Sequence, residues 1–90
     1  MSGSVVITGG CGFLGAALAQ KIRENGLTLP TGQRLSNPRL HLWDRAGAVV
    51  PVIENTRFAA IDIANAAEVR AQMPQDVDLI YHLAAVVSGQ

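Results

Sequence analysis

Short apolar runs alternate along the chain with stripes of helical spacing. Val5 to Ile7 is an apolar run too short for anything but a buried strand. After it, Leu14, Leu18 and Ile22 recur every fourth residue, as they would on one face of a helix. We therefore expect a helix from about Gly12 to Asn25, with its charged residues facing solvent.

The rest of the chain predicts three more strands and one more helix. Arg39 to Asp44 alternates as a second strand, and Arg57 to Ile61 forms a third. Val77 to Ala85 is a fourth, apolar on both faces, which is typical of the interior of a parallel sheet. Asn65 is followed three residues later by a glutamate, the spacing of a capping box, so a helix from Ala66 to Met73 should begin there.

Two of the joins between these elements are long. Leu27 to Pro38 contains proline, glycine and asparagine and is longer than usual, so we interpret it as an irregular surface insertion and leave a lid function open. Ala46 to Asn55 is a loop, because Pro51 breaks any continuous strand. The order of elements predicts an α/β fold, a parallel sheet with flanking helices.

The glycine-rich segment Thr8 to Gly15 joins the first strand to the first helix, and the chain is organised around it. Its spacing admits two interpretations, G-x-G-x-x-G from Gly10 or G-x-x-G-x-x-G from Gly9, and both pass through Gly12. We prefer the second, because Thr8 then closes the strand.

Strand, glycine loop and helix form the order that a nucleotide site requires. A helix N-terminus offers unpaired backbone N–H groups and the positive end of the helix dipole, so a pyrophosphate can bind where no side chain intervenes. In such loops the glycines permit a tight turn, close approach of the backbone to the diphosphate, and close packing of helix on strand. The glycines that we expect to perform these tasks are Gly9, Gly12 and Gly15.

The second strand ends on an acid, as a dinucleotide site requires. Asp44 lies 29 residues after Gly15, and the long join accounts for the excess over the usual interval of about 20. Its carboxylate can accept hydrogen bonds from both hydroxyls of the adenosine ribose and would repel a 2′-phosphate. Arg45 could pair with such a phosphate, but Asp44 holds the strand end. The sequence therefore favours NAD over NADP, with Arg45 along the adenine face.

Two further strand ends complete the candidate site. Because Asn65 caps the second helix, Asp62 has no capping duty and can reach the exocyclic amine of adenine, while the Ile63 backbone meets the ring edge. His82 is interpreted as a buried or sheet-lining residue. The fourth strand ends on Leu83, Ala84 and Ala85. The small alanines leave room for a dinucleotide to lie against the backbone.

Composition narrows the classes of function. The 90 residues have a formal net charge of zero, so neither nucleic acid nor an acidic membrane surface is an expected partner. No apolar stretch approaches the roughly 20 residues that span a bilayer, and the first four residues lack the positive start of a secretory signal, so we expect a cytoplasmic location.

Cys11 is the only cysteine and is interpreted as a small filler residue, where a bulky thiol reagent should block the cofactor. No cluster of residues predicts a metal site.

Thr8 to Gly15, Asp44, Asp62 and the segment from His82 to Ala85 together resemble the NAD-dependent epimerase/dehydratase family, the extended branch of the short-chain dehydrogenases. The resemblance covers nearly the whole chain and implies a Rossmann-type fold with NAD as cofactor. It implies contacts with the pyrophosphate at Gly9, Gly12, Phe13 and Leu14, with the adenosine ribose at Asp44 and Arg45, with adenine at Asp62 and Ile63, and with the central part of the cofactor at Leu83, Ala84 and Ala85.

Within the family, Leu42 to Arg45 and His82 to Gly89 look most like dehydrogenases that oxidise the C2 hydroxyl of a D-erythronate-like sugar acid to the 2-oxo acid. NDP-sugar epimerases and dehydratases share most of the pattern and remain an alternative, as does a non-catalytic dinucleotide-binding regulatory module. The expected partner is therefore a small-molecule sugar acid or nucleotide sugar, and a homodimer is left open.

Catalysis in the family uses a serine or threonine and a Tyr-x-x-x-Lys pair, in which the tyrosine is the acid/base. This chain has one tyrosine, Tyr81, whose fourth successor is Ala85, and one lysine, Lys21. We therefore assign no catalytic residue. We expect residues 1–90 to be the N-terminal part of a doubly wound NAD-binding domain in a longer enzyme, whose other part carries catalysis and substrate binding.

Overall fold

The computed structural model describes residues 3–83 and shows a four-stranded parallel sheet with a helix packed on each face. In chain order the elements are β1 (Ser4–Thr8), α1 (Phe13–Asn25), β2 (Leu27–Thr28), β3 (Arg34–Leu35), β4 (Arg39–Asp44), β5 (Thr56–Ala60), α2 (Ala66–Gln72) and β6 (Val77–His82). The predicted α/β architecture is confirmed.

The sheet has the order β5-β4-β1-β6, and every neighbouring pair is parallel. The chain moves from β1 to one side for β4 and β5 and returns to the other side for β6, so the strand order reverses beside β1. Thr8 pairs with Trp43 on one side and with His82 on the other. The carboxyl ends of these strands therefore share one edge, which is where ligands bind in open α/β sheets.

Helix α1 packs on the sheet with a face rotated from the predicted one. The buried residues are Gly15, Ala19 and Ile22, whereas Leu18 is partly buried and Leu14 is 69% exposed. Glycine and alanine in the contact let the helix approach the sheet closely, and the leucines then lie beside the contact. The predicted helix bounds are confirmed, but the predicted face was wrong at Leu14.

Helix α2 covers the opposite face of the sheet. The core there is built from Val6, Trp43 and Ile61, with Val69 and Met73 against them. The helix starts where the capping pattern predicted, because Asn65 Oδ1 accepts the N–H groups of Ala67 at 3.1 Å and Glu68 at 3.2 Å. It ends at Gln72, one residue earlier than predicted.

The join between α1 and β4 is a packed hairpin and not an irregular surface insertion. Strands β2 and β3 pair antiparallel, with Leu27 opposite Leu35. Leu29 and Leu35 are buried in the same cluster as α1 and β1. Because the hairpin leads from the end of α1 to the start of β4, it lies at the amino-terminal edge of the sheet. It is therefore far from a position in which it could cover the carboxyl edge as a lid.

Arg23, one of the charged residues expected to face solvent, fastens α1 to this edge instead. Its guanidinium donates to the carbonyl oxygens of Pro38 at 2.8 Å and Asn55 at 3.2 Å, and also to the side chain of Asn37. Burial lowers the pKa of Arg23, and nearby Glu54 opposes that shift. The arginine thus connects the helix to the chain segments that enter β4 and β5.

Strand β6 is an edge strand among the described residues, and its two faces are covered unequally. Leu79 and Tyr81 pack against the α1 core and Val77 packs against the α2 core, whereas Ile80 is 46% exposed. Asp78 interrupts the apolar run and its carboxylate accepts the Ser4 N–H at 3.0 Å, so the strand is not apolar on both faces as predicted. The strand ends at His82, before the predicted Leu83, and the rest of the predicted extension, Ala84 and Ala85, lies outside the described residues.

Candidate functional site

The glycine loop turns sharply at the end of β1 and is tied to the neighbouring strand. Gly9 has a φ of 69°, in the left-handed region that glycine adopts without strain. The N–H groups of Gly9 and Gly10 donate to the Trp43 carbonyl at 2.8 and 3.2 Å. The Gly12 N–H then donates to the Gly9 carbonyl at 3.1 Å. These bonds set α1 to begin at the carboxyl edge of the sheet.

The other glycines of the loop differ in what excludes a side chain. A Cβ at Gly10 would lie 2.8 Å from Leu42 Cβ, and a Cβ at Gly15 would lie 2.7 Å from the Gly10 Cα. Packing inside the protein therefore requires both of these glycines. A Cβ at Gly12 would meet only the Gly9 carbonyl oxygen, at 3.4 Å. The space left by the missing side chain of Gly12 is therefore open.

The start of α1 is uncapped. Gly12 is the N-cap residue and has no side chain to accept a hydrogen bond, and the first turn holds no acidic residue. The side chains of Phe13 and Leu14 are largely exposed. Unpaired N–H groups and the positive end of the helix dipole at one point form a site for an anion.

Asp44 bridges the glycine loop and the end of β4. One carboxylate oxygen accepts the Cys11 N–H at 3.0 Å, and the other accepts the Arg45 N–H at 2.8 Å. A carboxylate offers about four acceptor positions, so about two remain after these bonds. Asp44 thus holds the glycine loop in place and keeps acceptor capacity for a ligand.

The Cys11 thiol lies beside this carboxylate and is partly buried. Burial raises the pKa of the Cys11 thiol, and the negative charge of Asp44 raises it further. A raised pKa keeps the sulfur protonated at neutral pH, and a protonated thiol is a poor nucleophile. This is consistent with the interpretation of Cys11 as a filler residue.

The end of β5 brings Asp62 and Ile63 to the same edge. The Ile61 N–H donates to the Asp44 carbonyl at 2.9 Å. Asp62 has no capping duty, as expected, but its Oδ1 accepts the Ala64 N–H at 3.0 Å. Asp62 therefore makes an Asx turn ahead of α2, although it is not the helix cap. Its other oxygen makes no hydrogen bond to any residue that the structure describes.

These strand ends surround a cleft of about 630 Å³. The volume lies within the usual range of small-molecule and cofactor sites. The predicted site residues that line the cleft are Gly9, Gly12, Asp44, Arg45, Asp62, Ile63 and Leu83. The predicted residues in the first turn of α1 that do not line it are Phe13, Leu14 and Gly15. Ala84 and Ala85 lie outside the described residues.

Sequence reasoning missed part of the lining. The additional residues are Trp43, Ala48, Val49 and Ile61. Trp43 and Ile61 are neighbours of the predicted strand-end acids, so their place in the chain was a usable signal. Ala48 and Val49 come from the join after β4, where no periodicity indicates which residues face a cleft.

Strand β6 is fastened to β1 next to the glycine loop. The Leu83 N–H donates to the Thr8 carbonyl at 3.1 Å, and Thr8 Oγ1 lies 2.8 Å from His82 Nδ1. His82 was expected to be buried or sheet-lining, but it is exposed. The hydrogen bond with Thr8 Oγ1 holds the ring at the strand end.

The charged side chains that line the cleft are Asp44, Arg45 and Asp62. Within residues 3–83, no group of three or more His, Cys, Asp or Glu residues is arranged to hold a metal ion. No helix in this part of the chain is long and apolar enough to cross a membrane.

Comparison with known sequences identifies relatives over the whole cleft-forming segment. The sequence model described as the NAD dependent epimerase/dehydratase family matches residues 5–90. D-erythronate dehydrogenase from Cupriavidus necator is 38% identical to this chain over 90 residues, which is 97% of this chain and 27% of the relative.

Solved structures share the fold at lower sequence identity. An epimerase from Methanothermobacter thermautotrophicus superposes with a TM-score of 0.71 at 21% identity, covering 94% of this chain and 23% of its own. Uronate dehydrogenase from Agrobacterium tumefaciens superposes with a TM-score of 0.68 at 22% identity, and the match covers 96% of this chain and 27% of that enzyme. A variant of that enzyme complexed with NAD superposes with a TM-score of 0.66 at 23% identity, and the match covers 97% of this chain and 28% of the variant. The fold is Rossmann-like, and the chain spans about a quarter of the length of the proteins that it matches.

Proposed function

This chain belongs to the NAD-dependent epimerase/dehydratase family, and we propose that it is the cofactor-binding part of an NAD-dependent dehydrogenase of the extended short-chain type. One observation carries the proposal: the uncapped start of α1 and the Asp44 carboxylate meet at one cleft. The helix start supplies donors for the negatively charged middle of a dinucleotide. The carboxylate supplies acceptors for a ribose diol.

In this proposal the pyrophosphate binds against Gly9 and Gly12 and the backbone N–H groups of Phe13 and Leu14. A Cβ at Gly12 would protrude into space that the protein itself leaves open, which supports a ligand contact there. Gly15 acts indirectly, because its missing side chain lets α1 pack against the loop.

The adenosine half is proposed to bind at the ends of β4 and β5. The remaining acceptor capacity of Asp44 serves the two ribose hydroxyls, and the unbonded oxygen of Asp62 serves the exocyclic amine of adenine. Ile63 is proposed to line the ring edge, and Leu83 the central part of the cofactor. The predicted contacts of Ala84 and Ala85 fall outside the described residues.

The same arrangement favours NAD over NADP. A 2′-phosphate would displace one ribose hydroxyl bonded to Asp44 and bring two like charges together, which costs free energy. Arg45 lines the cleft and is exposed, so solvent screens its charge. The carboxylate is already fixed by two backbone bonds and cannot turn away without releasing the glycine loop.

When bound, NAD supplies the acceptor for a hydride from the substrate carbon. The residues of this chain hold and orient it. Tyr81 is partly buried beneath α1, and Lys21 is exposed on that helix. Neither residue lines the cleft, so neither can act there as an acid or base. We therefore propose that acid/base catalysis comes from residues outside 1–90.

The proposed reaction is oxidation of the C2 hydroxyl of a D-erythronate-like sugar acid to the 2-oxo acid. The 38% identity to D-erythronate dehydrogenase supports this substrate class. The second candidate is an epimerase acting on a nucleotide sugar, which the family description and the fold of the archaeal epimerase favour.

Calorimetric titration of the intact protein with NAD, NADP and FAD tests the cofactor. We expect NAD to bind most tightly, and stronger binding of FAD or NADP would overturn the assignment. Absorbance at the NADH band then separates the reactions. Steady NADH formation with D-erythronate supports the dehydrogenase, whereas interconversion of a nucleotide sugar without net NADH supports the epimerase. NAD binding with neither reaction would indicate a regulatory module.

A further inference from the structure

Val49 stands at the cleft with its side chain almost entirely in solvent. It lines the cleft beside Ala48, and 87% of its surface is exposed. A large apolar side chain in this position gains free energy when an apolar group covers it, in proportion to the area removed from water.

A tight turn directly after Asp44 places Val49 there. The Ala48 N–H donates to the Arg45 carbonyl at 3.3 Å, which closes a four-residue turn. Gly47 has a φ of 86° in the third position of that turn, as in a type II turn. A Cβ at Gly47 would meet nothing within 4 Å, so the backbone conformation and not the available space requires glycine. The turn therefore determines where Val49 lies.

A second apolar surface lines the same cleft from the end of β5. Ile61 is buried and Ile63 is partly buried, and both line the cleft. The carboxylates of Asp44 and Asp62 line it as well. Apolar surface from two chain segments together with acceptor oxygens suits a flat heteroaromatic ring that carries an amine.

We propose that Val49 is a specificity-determining residue that packs on the adenine base of the bound dinucleotide and so selects ligands that carry a purine. The inference rests on the proposed function, because it takes NAD as the ligand. In this arrangement Ile63 provides the second apolar contact, and the exposed surface of Val49 is covered only when the base is present.

The chain offers a matched control in the same loop. Val52 is fully exposed but does not line the cleft. In the intact protein, Val49→Ser should weaken NAD and ADP-ribose by roughly tenfold, equivalent to about 1.4 kcal/mol. It should leave nicotinamide mononucleotide, which has no adenine, unchanged, and Val52→Ser should change none of the three. Gly47→Ala, which strains the turn without filling the cleft, should weaken NAD and ADP-ribose in the same direction.

Calorimetry with these ligands separates the possible failures. If Val49→Ser binds NAD as tightly as the unsubstituted protein, the role of Val49 is overturned while the proposed function stands. Equal losses for nicotinamide mononucleotide and ADP-ribose would indicate a disturbed loop and would also overturn it. If the unsubstituted protein binds no NAD, the proposed function fails, and the assignment of Val49 fails with it.

Discussion

The two edges of the parallel sheet are built in opposite ways. At the amino-terminal edge, the β2–β3 hairpin buries Leu29 and Leu35 in the core, and Arg23 donates hydrogen bonds to the Pro38 and Asn55 carbonyls. At the carboxyl edge, the loops leave backbone N–H groups, carboxylates and apolar side chains exposed around a cleft of about 630 Å³. One edge is closed by packing, and the other is open.

The difference indicates that the packed amino-terminal edge contributes mainly to stability, whereas the open carboxyl edge contributes mainly to ligand binding. Substitutions at the closed edge should lower the free energy of unfolding and leave NAD affinity unchanged. Substitutions at the open edge should mainly lower NAD affinity, because exposed loops on a rigid scaffold contribute little to stability. The exceptions are residues such as Gly15 and Asp44 that also hold the glycine loop in place.

Gly12→Val should have the largest effect, and it acts at the open edge. The added side chain occupies the space proposed for the pyrophosphate, so NAD affinity should fall by at least about 1,000-fold, or about 4 kcal/mol. The free energy of unfolding should fall by only about 1 kcal/mol or less, since valine is a poorer N-cap than glycine. Calorimetry and urea denaturation measure the two quantities.

Gly15→Ala is the contrasting variant in the same loop. Its Cβ would lie 2.7 Å from the Gly10 Cα, so it should lower both stability and NAD affinity. Undiminished NAD affinity in Gly12→Val would remove the pyrophosphate assignment.

Leu35→Ala should show the reverse pattern at the closed edge. Leu35 is fully buried, and removing most of its side chain should lower the free energy of unfolding by about 3 kcal/mol. NAD affinity of the folded protein should not change. Leu14→Ala serves as the stability control, because that leucine is exposed and its loss should cost about 0.5 kcal/mol or less. A parallel loss of NAD affinity in Leu35→Ala would show that the two edges are coupled.

Asp44→Ala should reduce NAD binding by about 1.5 to 3 kcal/mol, the range for a hydrogen bond to a charged group. Asp44 also accepts the Cys11 N–H, so the variant should lose about 1 kcal/mol of stability. This substitution at the open edge therefore lowers both NAD affinity and stability. Asp44→Asn retains one acceptor oxygen without the charge and should narrow the preference for NAD over NADP. Calorimetry with both cofactors measures this, and an unchanged preference would contradict the assignment.

The smallest expected effect is on the reactivity of Cys11. Burial is the main cause of its raised pKa and persists in Asp44→Asn, whereas the contribution of the carboxylate is lost. The negative charge opposes formation of the thiolate, so removing it lowers the pKa and increases the thiolate fraction at any fixed pH below it. Alkylation by iodoacetamide should then be modestly faster at pH 8 than in the unsubstituted protein. Identical rates across pH would argue against contact between Asp44 and the loop in solution.

Sequence reasoning succeeded where the controlling interactions are local. The bounds of β4 follow from side-chain alternation, and the end of α1 follows from Gly26, which is its C-cap residue. The start of α2 follows from Asn65, whose side chain bonds to N–H groups only two and three residues away. The position of Asp44 at the end of a strand was predictable for the same reason, since it depends only on where that strand ends.

The tertiary structure alone decided the features that depend on contacts between segments distant in the sequence. It closed the amino-terminal edge with a hairpin, because Leu29 and Leu35 meet a core that no local pattern reveals. It also decided that α1 packs on the sheet through the face that contains Gly15, and that Val49 lines the cleft. The sequence by itself therefore determined the two helices, the four strands of the parallel sheet and the donors and acceptors at their ends. Which side chains line the cleft was decided only when packing brought these ends together.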